Sequence, residues 1–151
     1  MNNDLDKSES DDARESIAIS ATKLSFDVPM VVSEIADNCM YTGLFGNLDS
    51  SRMRDITNSI LESMTINQFK YVILDLSNVV VIDSFVVAQL FDLVSTIKLL
   101  GIQPIFCGIT SIMAKAMVKS NIKFEVDNIE RDLKAALHRY YELDGYQVVK
   151  V

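Results

Sequence analysis

The chain has a single histidine, His138, no tryptophan and two cysteines among its 151 residues, and each scarcity removes a class of chemistry. With one imidazole, a Ser-His-Asp triad or a histidine-bearing zinc site would have to be built around His138. That residue stands beside the helical apolar stripe of Leu133, Leu137 and Tyr140, so it is expected to face solvent. Cys39 and Cys107 lie far apart inside apolar runs with no CxxC pair, which predicts reduced thiols rather than a disulfide framework or a metal site. Neither GxxxxGK[ST] nor GxGxxG occurs, so a phosphate-cradling loop of either type is missing. Paired carboxylates such as Asp75 and Asp83 are present, but that spacing is common in small domains. Lysines and arginines cluster no more tightly than Arg52 and Arg54, too sparse a footprint for direct nucleic-acid binding. No run approaches the roughly 18 apolar residues of a membrane span, and the N-terminus is acidic where a signal peptide is basic then apolar. The expectation is a cytoplasmic, non-enzymatic protein with no catalytic residue, no metal and no cofactor, and without membrane insertion.

Hydrophobic residues make up 49% of the chain and charged residues 23%, the composition of a globular domain, and the length suits one. Charge is unevenly placed. Residues 1–20 carry six acidic and two basic side chains, giving −4 of the total −7. Such a stretch buries too little apolar surface to offset chain entropy, so residues 1–22 are expected to be a disordered acidic tail and residues 23–151 the domain.

Along the domain, strand and helix periods alternate. Residues 17–28 alternate weakly (Ile17, Ile19, Leu24, Phe26, Val28) until Pro29 limits any strand to an edge. Residues 31–36 and the run Cys39-Met-Tyr-Thr-Gly-Leu-Phe-Gly46 read as a hairpin. Asp49 or Ser50 then caps a helix with Met53, Ile56, Ile60, Leu61 and Met64 on one face. Tyr71-Val-Ile-Leu-Asp-Leu76 is apolar enough for a central strand covered on both sides, ending near residues 75–77. A helix follows from Phe85 to about Leu100 with Gly101 as its stop, then a strand over 104–107, a short helix over 112–120 and a brief strand over 123–126. A last helix is opened by Asp127, with Glu130 completing a variant capping box. Strands alternating with helices predict an α/β fold, a small mixed sheet with helices packed mainly on one face. Met113 and Met117, one turn apart, suit the core or an adaptable contact surface. Tyr140, Tyr141 and Tyr146 suit an interface or closure of the last helix on the sheet.

The segment Leu74-Asp-Leu-Ser-Asn-Val-Val-Val-Ile-Asp-Ser-Phe85 stands out, because it sets Asp83 and Ser84 at a helix start. A serine there has two uses: capping the free amides of the first turn, worth about 1 kcal/mol, or accepting a phosphate that those amides and the helix dipole would welcome while Asp83 repels it.

Taken with Leu99-Leu-Gly-Ile-Gln-Pro104, Cys107-Gly-Ile-Thr110 and Gly46-Asn-Leu-Asp-Ser50, this segment resembles the STAS domains (sulphate transporter and anti-sigma-factor antagonist), and within them the stressosome branch. The resemblance spans roughly residues 31–141. It implies a phosphoacceptor at Ser84, supported by Asp83, Asp75 and Asp49. It also implies partners: a serine/threonine kinase of the anti-sigma (GHKL) type, and related STAS-domain proteins in a large assembly. A second phosphoacceptor of some relatives falls on Ala116, which cannot accept phosphate, and Ser111 replaces the proline of Gly-Ile-x-Pro. Thr110 and Ser111 remain as alternative acceptors, although both suit caps of the short helix. The function implied is a phosphorylation-switched scaffold or antagonist in bacterial stress signalling, holding a kinase or anti-sigma partner until Ser84 is modified. A monomeric anti-sigma-factor antagonist and a cytoplasmic accessory subunit of a transport system are the alternatives.

Overall fold

A computed structural model describes residues 28–123 and 125–151. The expected acidic tail and most of the weak strand pattern before Pro29 lie outside the described residues. Five strands form one sheet in the order β1 (Met30–Ala36), β2 (Cys39–Asn47), β3 (Tyr71–Val81), β4 (Gln103–Cys107) and β5 (Ile129–Glu130). The first pair is the expected hairpin, antiparallel and turned at Asp37 and Asn38, with Asn38 at φ 59°. Every later neighbour is parallel, because a helix intervenes each time: α1 (Ser50–Ile66), α2 (Ser84–Leu99) and α3 (Ser111–Lys119), with α4 (Leu133–Leu143) after β5.

Strand β3 is apolar on both sides because both of its faces are covered. Val72, Leu74 and Leu76 point toward α1, α2 and α3, whose Met53, Ile56 and Ile60, Val87, Leu90 and Val94, and Met113 and Met117 complete the larger core. Ile73 points the other way, joining Cys39, Ile105 and Cys107 beneath Ala136 and Tyr140 of α4. Helices therefore lie mainly on one face, with a single one on the other. Met113 and Met117 are core residues. Tyr140 closes α4 on the sheet: its ring meets Tyr71 edge-on at 5.3 Å, and its hydroxyl donates to the Asp37 carbonyl. Tyr141 stacks against Tyr146 beyond the helix end.

Three local expectations change. First, β3 runs on to Val81 rather than ending near residues 75–77, since β2 still pairs with it there. Second, residues 123, 125 and 126 form no strand; the fifth strand is Ile129–Glu130, because the backbone here bonds to β4 at Phe106 and Cys107. Third, Asp127 and Glu130 make no capping box. Asp132 caps α4, accepting from the Ala135 amide at 2.9 Å, while Glu130 sits in β5 and accepts from Arg139. The Asp-x-x-Glu spacing was a true pattern in the wrong place; strand pairing took its backbone first.

Candidate functional site

Where β4 ends, at the pair Asp75 and Cys107, β2 and β3 continue as a two-stranded arm through the pairs Phe45 with Asn78, Gly46 with Val79 and Asn47 with Val81. The Leu48 amide then bonds to the Val81 carbonyl at 2.9 Å, so the starts of α1 and α2 are delivered to the same end of the sheet. Each start is capped by an aspartate. Asp49 accepts from the Arg52 amide at 2.9 Å and Asp83 from the Val86 amide at 2.8 Å.

This corrects one use of Ser84. The cap of α2 is Asp83, and Ser84 is the first helical residue, exposed, its hydroxyl without a hydrogen bond among the described residues. Aspartate wins the cap because it stands one residue earlier, in extended backbone (φ −100°, ψ 170°) from which a side-chain oxygen reaches the third helical amide. The arm exposes Phe45 at 41%, Val80 at 58% and Val81 at 54%, and the first turn of α2 exposes Phe85 at 66%.

Of the three carboxylates assigned to this site, two are at this end of the sheet. Asp83 adjoins Ser84, and Asp49 caps the neighbouring helix. Asp75 is elsewhere. It lies six strand residues before Val81, about 20 Å back along the strand, on the sheet face of Ile73, Cys107 and α4 rather than that of α2. Its carboxylate is nearly buried and fully engaged: Tyr41 donates its hydroxyl at 2.9 Å, and Ser77 donates its amide at 3.0 Å and its hydroxyl at 2.5 Å. Gly108 closes this cluster. At φ +71°, a Cβ there would lie 2.0 Å from Ser77 Oγ and 2.8 Å from its amide nitrogen. Burial first, then the Asp75 charge, pushes the Cys107 thiol up to about 12; burial first, then the hydrogen bond to Asp75, does the same to Tyr41.

Thr110 caps α3, its hydroxyl accepting from the Met113 amide at 3.3 Å, as its position predicts; Ser111 is exposed at the first helical position. Both follow the end of β4, at the start of α3. His138 is exposed on α4, and no group of His, Cys, Asp or Glu among the described residues is arranged to hold a metal ion. No helix among them is long and apolar enough to cross a membrane.

Sequence reasoning missed one charged group at this end. No basic residue lies between Lys70 and Lys98, yet the fold brings Arg52 in, its guanidinium donating to the Asn47 carbonyl at 2.8 Å, one strand away from Val81. Its place two residues past the glycine-bearing Gly46 to Ser50 segment was the available signal. The site thus holds the carboxylates of Asp49 and Asp83, the Arg52 guanidinium, the free hydroxyl of Ser84 and exposed apolar side chains.

The chain is 34% identical over 106 residues to the RsbT co-antagonist protein RsbRD of Bacillus subtilis, covering 70% of this chain and 38% of that protein. It therefore spans little more than a third of the length of this curated relative. Among solved structures, RsbS from Moorella thermoacetica superposes with a TM-score of 0.66 at 20% identity, covering 76% of this chain and 97% of that one. A chain from a structure described as the molecular architecture of the stressosome superposes at 0.61 with 18% identity, covering 76% and 99%. The sequence model of the STAS domain matches residues 30–136, the span from β1 into α4, and so this chain belongs to the STAS domain family.

Proposed function

We propose that this protein is a phosphorylation-switched scaffold or antagonist in a bacterial stress-signalling assembly, holding a GHKL-type serine/threonine kinase or anti-sigma partner until Ser84 is phosphorylated. The observation that carries the proposal is the free, exposed hydroxyl of Ser84 at the start of α2, the helix that follows the arm, with Phe45, Val80, Val81 and Phe85 exposed on the arm and the first turn of α2. An apolar surface of this kind is what a partner buries. An exposed hydroxyl engaged in no cap is what a kinase can reach. The kinship with a protein named as an RsbT co-antagonist, and the fold shared with a stressosome chain, support the same role.

The direction of the switch follows from charge. A phosphate adds about −1.5 to −2. The helix terminus returns about 0.3 to 1 kcal/mol at an exposed position. A carboxylate some 6 Å away costs roughly 2 to 3 kcal/mol at an effective dielectric of about 20, and Asp83 and Asp49 both stand at this end. Arg52 offsets part of this, but its guanidinium is already bonded to the Asn47 carbonyl. Repulsion and the hydration of a dianion then oppose burial of the exposed apolar side chains, so modification releases the partner. Asp75 has no part in this balance.

Binding of the kinase to the unmodified and the Ser84-phosphorylated protein, in wild type and Asp83→Asn, tests the proposal. Asparagine keeps the cap and removes a charge, so affinity should fall on phosphorylation in wild type and fall less in Asp83→Asn. Tighter binding on phosphorylation would contradict it. Sizing the purified protein, alone and with related STAS proteins, separates scaffold from antagonist: a large assembly supports the scaffold, a monomer under both conditions the antagonist.

A further inference from the structure

The two edges of the sheet differ in length. At one, β5 has two residues; at the other, β1 has seven, and among the described residues only β2 pairs with it. The register shows which backbone groups of β1 are free. The Phe45 amide donates to the Pro29 carbonyl at 3.0 Å, so Pro29 and Phe45 oppose each other as a hydrogen-bonded pair, and along an antiparallel ladder every second residue repeats that direction. Val31 and Ser33 therefore turn their amides and carbonyls toward β2, while Met30, Val32 and Glu34 turn theirs to the open edge. Two of these outward groups are already used: the Met30 amide donates to the Val28 carbonyl at 2.8 Å, and the Glu34 carbonyl accepts the Ser33 hydroxyl at 3.2 Å. Left without a partner among the described residues are the Met30 carbonyl, both groups of Val32 and the Glu34 amide. Val31 is 54% and Val32 38% exposed, no proline or lysine guards the strand, and Glu34 is its only charge.

We propose that two copies of this chain join through β1, antiparallel about a two-fold axis at Val32, so that their sheets become one. In that register each Val32 amide meets the Val32 carbonyl of the second copy, and each Glu34 amide meets the other Met30 carbonyl. The two groups this pairing leaves over, the Met30 amide and the Glu34 carbonyl, are the two already satisfied within the chain. Charge selects the same register. Glu34 lies opposite Met30, four residues from its counterpart, about 13 Å along the strand, whereas an axis at Ser33 would set the two carboxylates as diagonal neighbours about 7 Å apart. Pairing of β1 with β1 also closes on itself, which pairing of β1 with the short β5 of another copy would not. As a link in the assembly proposed above the contact rests on that scaffold role; the pairing itself depends on neither Ser84 nor a kinase.

Sedimentation equilibrium of the full chain over a wide concentration range reads the pairing, with a concentration-dependent dimer as the expected result. Val32→Pro removes an amide that points away from β2, so the ladder within the chain survives while self-association weakens about tenfold or more. Val32→Lys leaves the backbone intact and sets two like charges across the axis, so it should weaken the dimer as well. Unfolding midpoints close to that of wild type identify the loss as interfacial. Oxidation reads the register. Val31 of one copy opposes Ser33 of the other as a non-hydrogen-bonded pair, Cα atoms about 4.5 Å apart, so mixed Val31→Cys and Ser33→Cys chains should form a disulfide-linked dimer more readily than either variant alone; the native cysteines are buried. A chain monomeric at every concentration, a dimer indifferent to both Val32 substitutions, or crosslinking no greater in the mixture would each overturn the proposal. A dimer whose Ser84 accepts no phosphate leaves this proposal standing and removes the switch; a monomer phosphorylated at Ser84 does the reverse.

Discussion

Ser77 and Ser84 are both exposed serines within one strand-to-helix segment, each preceded at short range by an aspartate, and they meet opposite fates. Ser77 gives its hydroxyl and its amide to Asp75, which also takes Tyr41, and Gly108 packs against the result. Ser84 gives its hydroxyl to nothing described, because Asp83 spends its carboxylate on the Val86 amide instead. The difference lies in what the backbone does at each aspartate. Asp75 is inside a strand, where its side chain meets Tyr41 of the neighbouring strand and Ser77, two residues along its own. Asp83 is in the extended residue before a helix, where free amides claim it. One serine is thereby built into the sheet, and the other is presented.

The contrast can be broken most severely from the glycine side. Gly108→Ala forces a Cβ onto Ser77 and holds alanine at positive φ, and should cost roughly 2 to 4 kcal/mol in denaturant unfolding. Asp75→Ala strands the Tyr41 hydroxyl and the Ser77 donors, and should cost about 2 to 3 kcal/mol. If the two serines are independent, that variant leaves phosphorylation of Ser84 unaltered. Asp83→Ala removes a helix cap and should cost about 1 kcal/mol. Ser84→Ala removes no bond and should stay within about 0.5 kcal/mol; a loss as large as that of Asp83→Ala would return the cap to the serine.

Alkaline titration sharpens the same comparison. Cys107 and Tyr41 beside Asp75, and Cys39 on the same sheet face, are each pushed up to about 12, so their neutral forms are favoured in the fold. A raised pKa gives stability that is complete below the unfolded value and is lost as pH climbs toward the folded one. Melting temperature should therefore fall between about pH 9 and pH 12, with hydrogen exchange opening the Asp75 face before the arm. Because Asp75 contributes to the rise at Cys107 and Tyr41, Asp75→Asn should move the onset of Tyr41 ionisation, read by its absorbance, to lower pH.

Much of this was legible in the sequence. Apolar continuity marked β3 as doubly covered, three- and four-residue spacing set the buried faces of α1 and α2, and Gly101 stopped α2 with φ +79°. Ser84 was placed at a helix start from its neighbours alone. What could not be read were relations made only by strand register. The extension of β3 to Val81 depends on β2 being long enough to pair with it, and that extension carries Asp75 away from Ser84. The pairing of Ile129 with Phe106 displaces the expected cap at Asp127 to Asp132. The approach of Arg52 depends on how α1 leaves the arm. Each is a long-range contact with no periodic signature in either partner.

Phosphosite mapping by mass spectrometry tests the central claim most directly. The full chain is incubated with ATP and a GHKL-type serine/threonine kinase from the same cell, and every serine and threonine is read. The expected result is phosphate on Ser84, with Ser77, Thr110 and Ser111 unmodified and no product from Ser84→Ala. Phosphate on Ser77, Thr110 or Ser111 with Ser84 untouched would contradict the account.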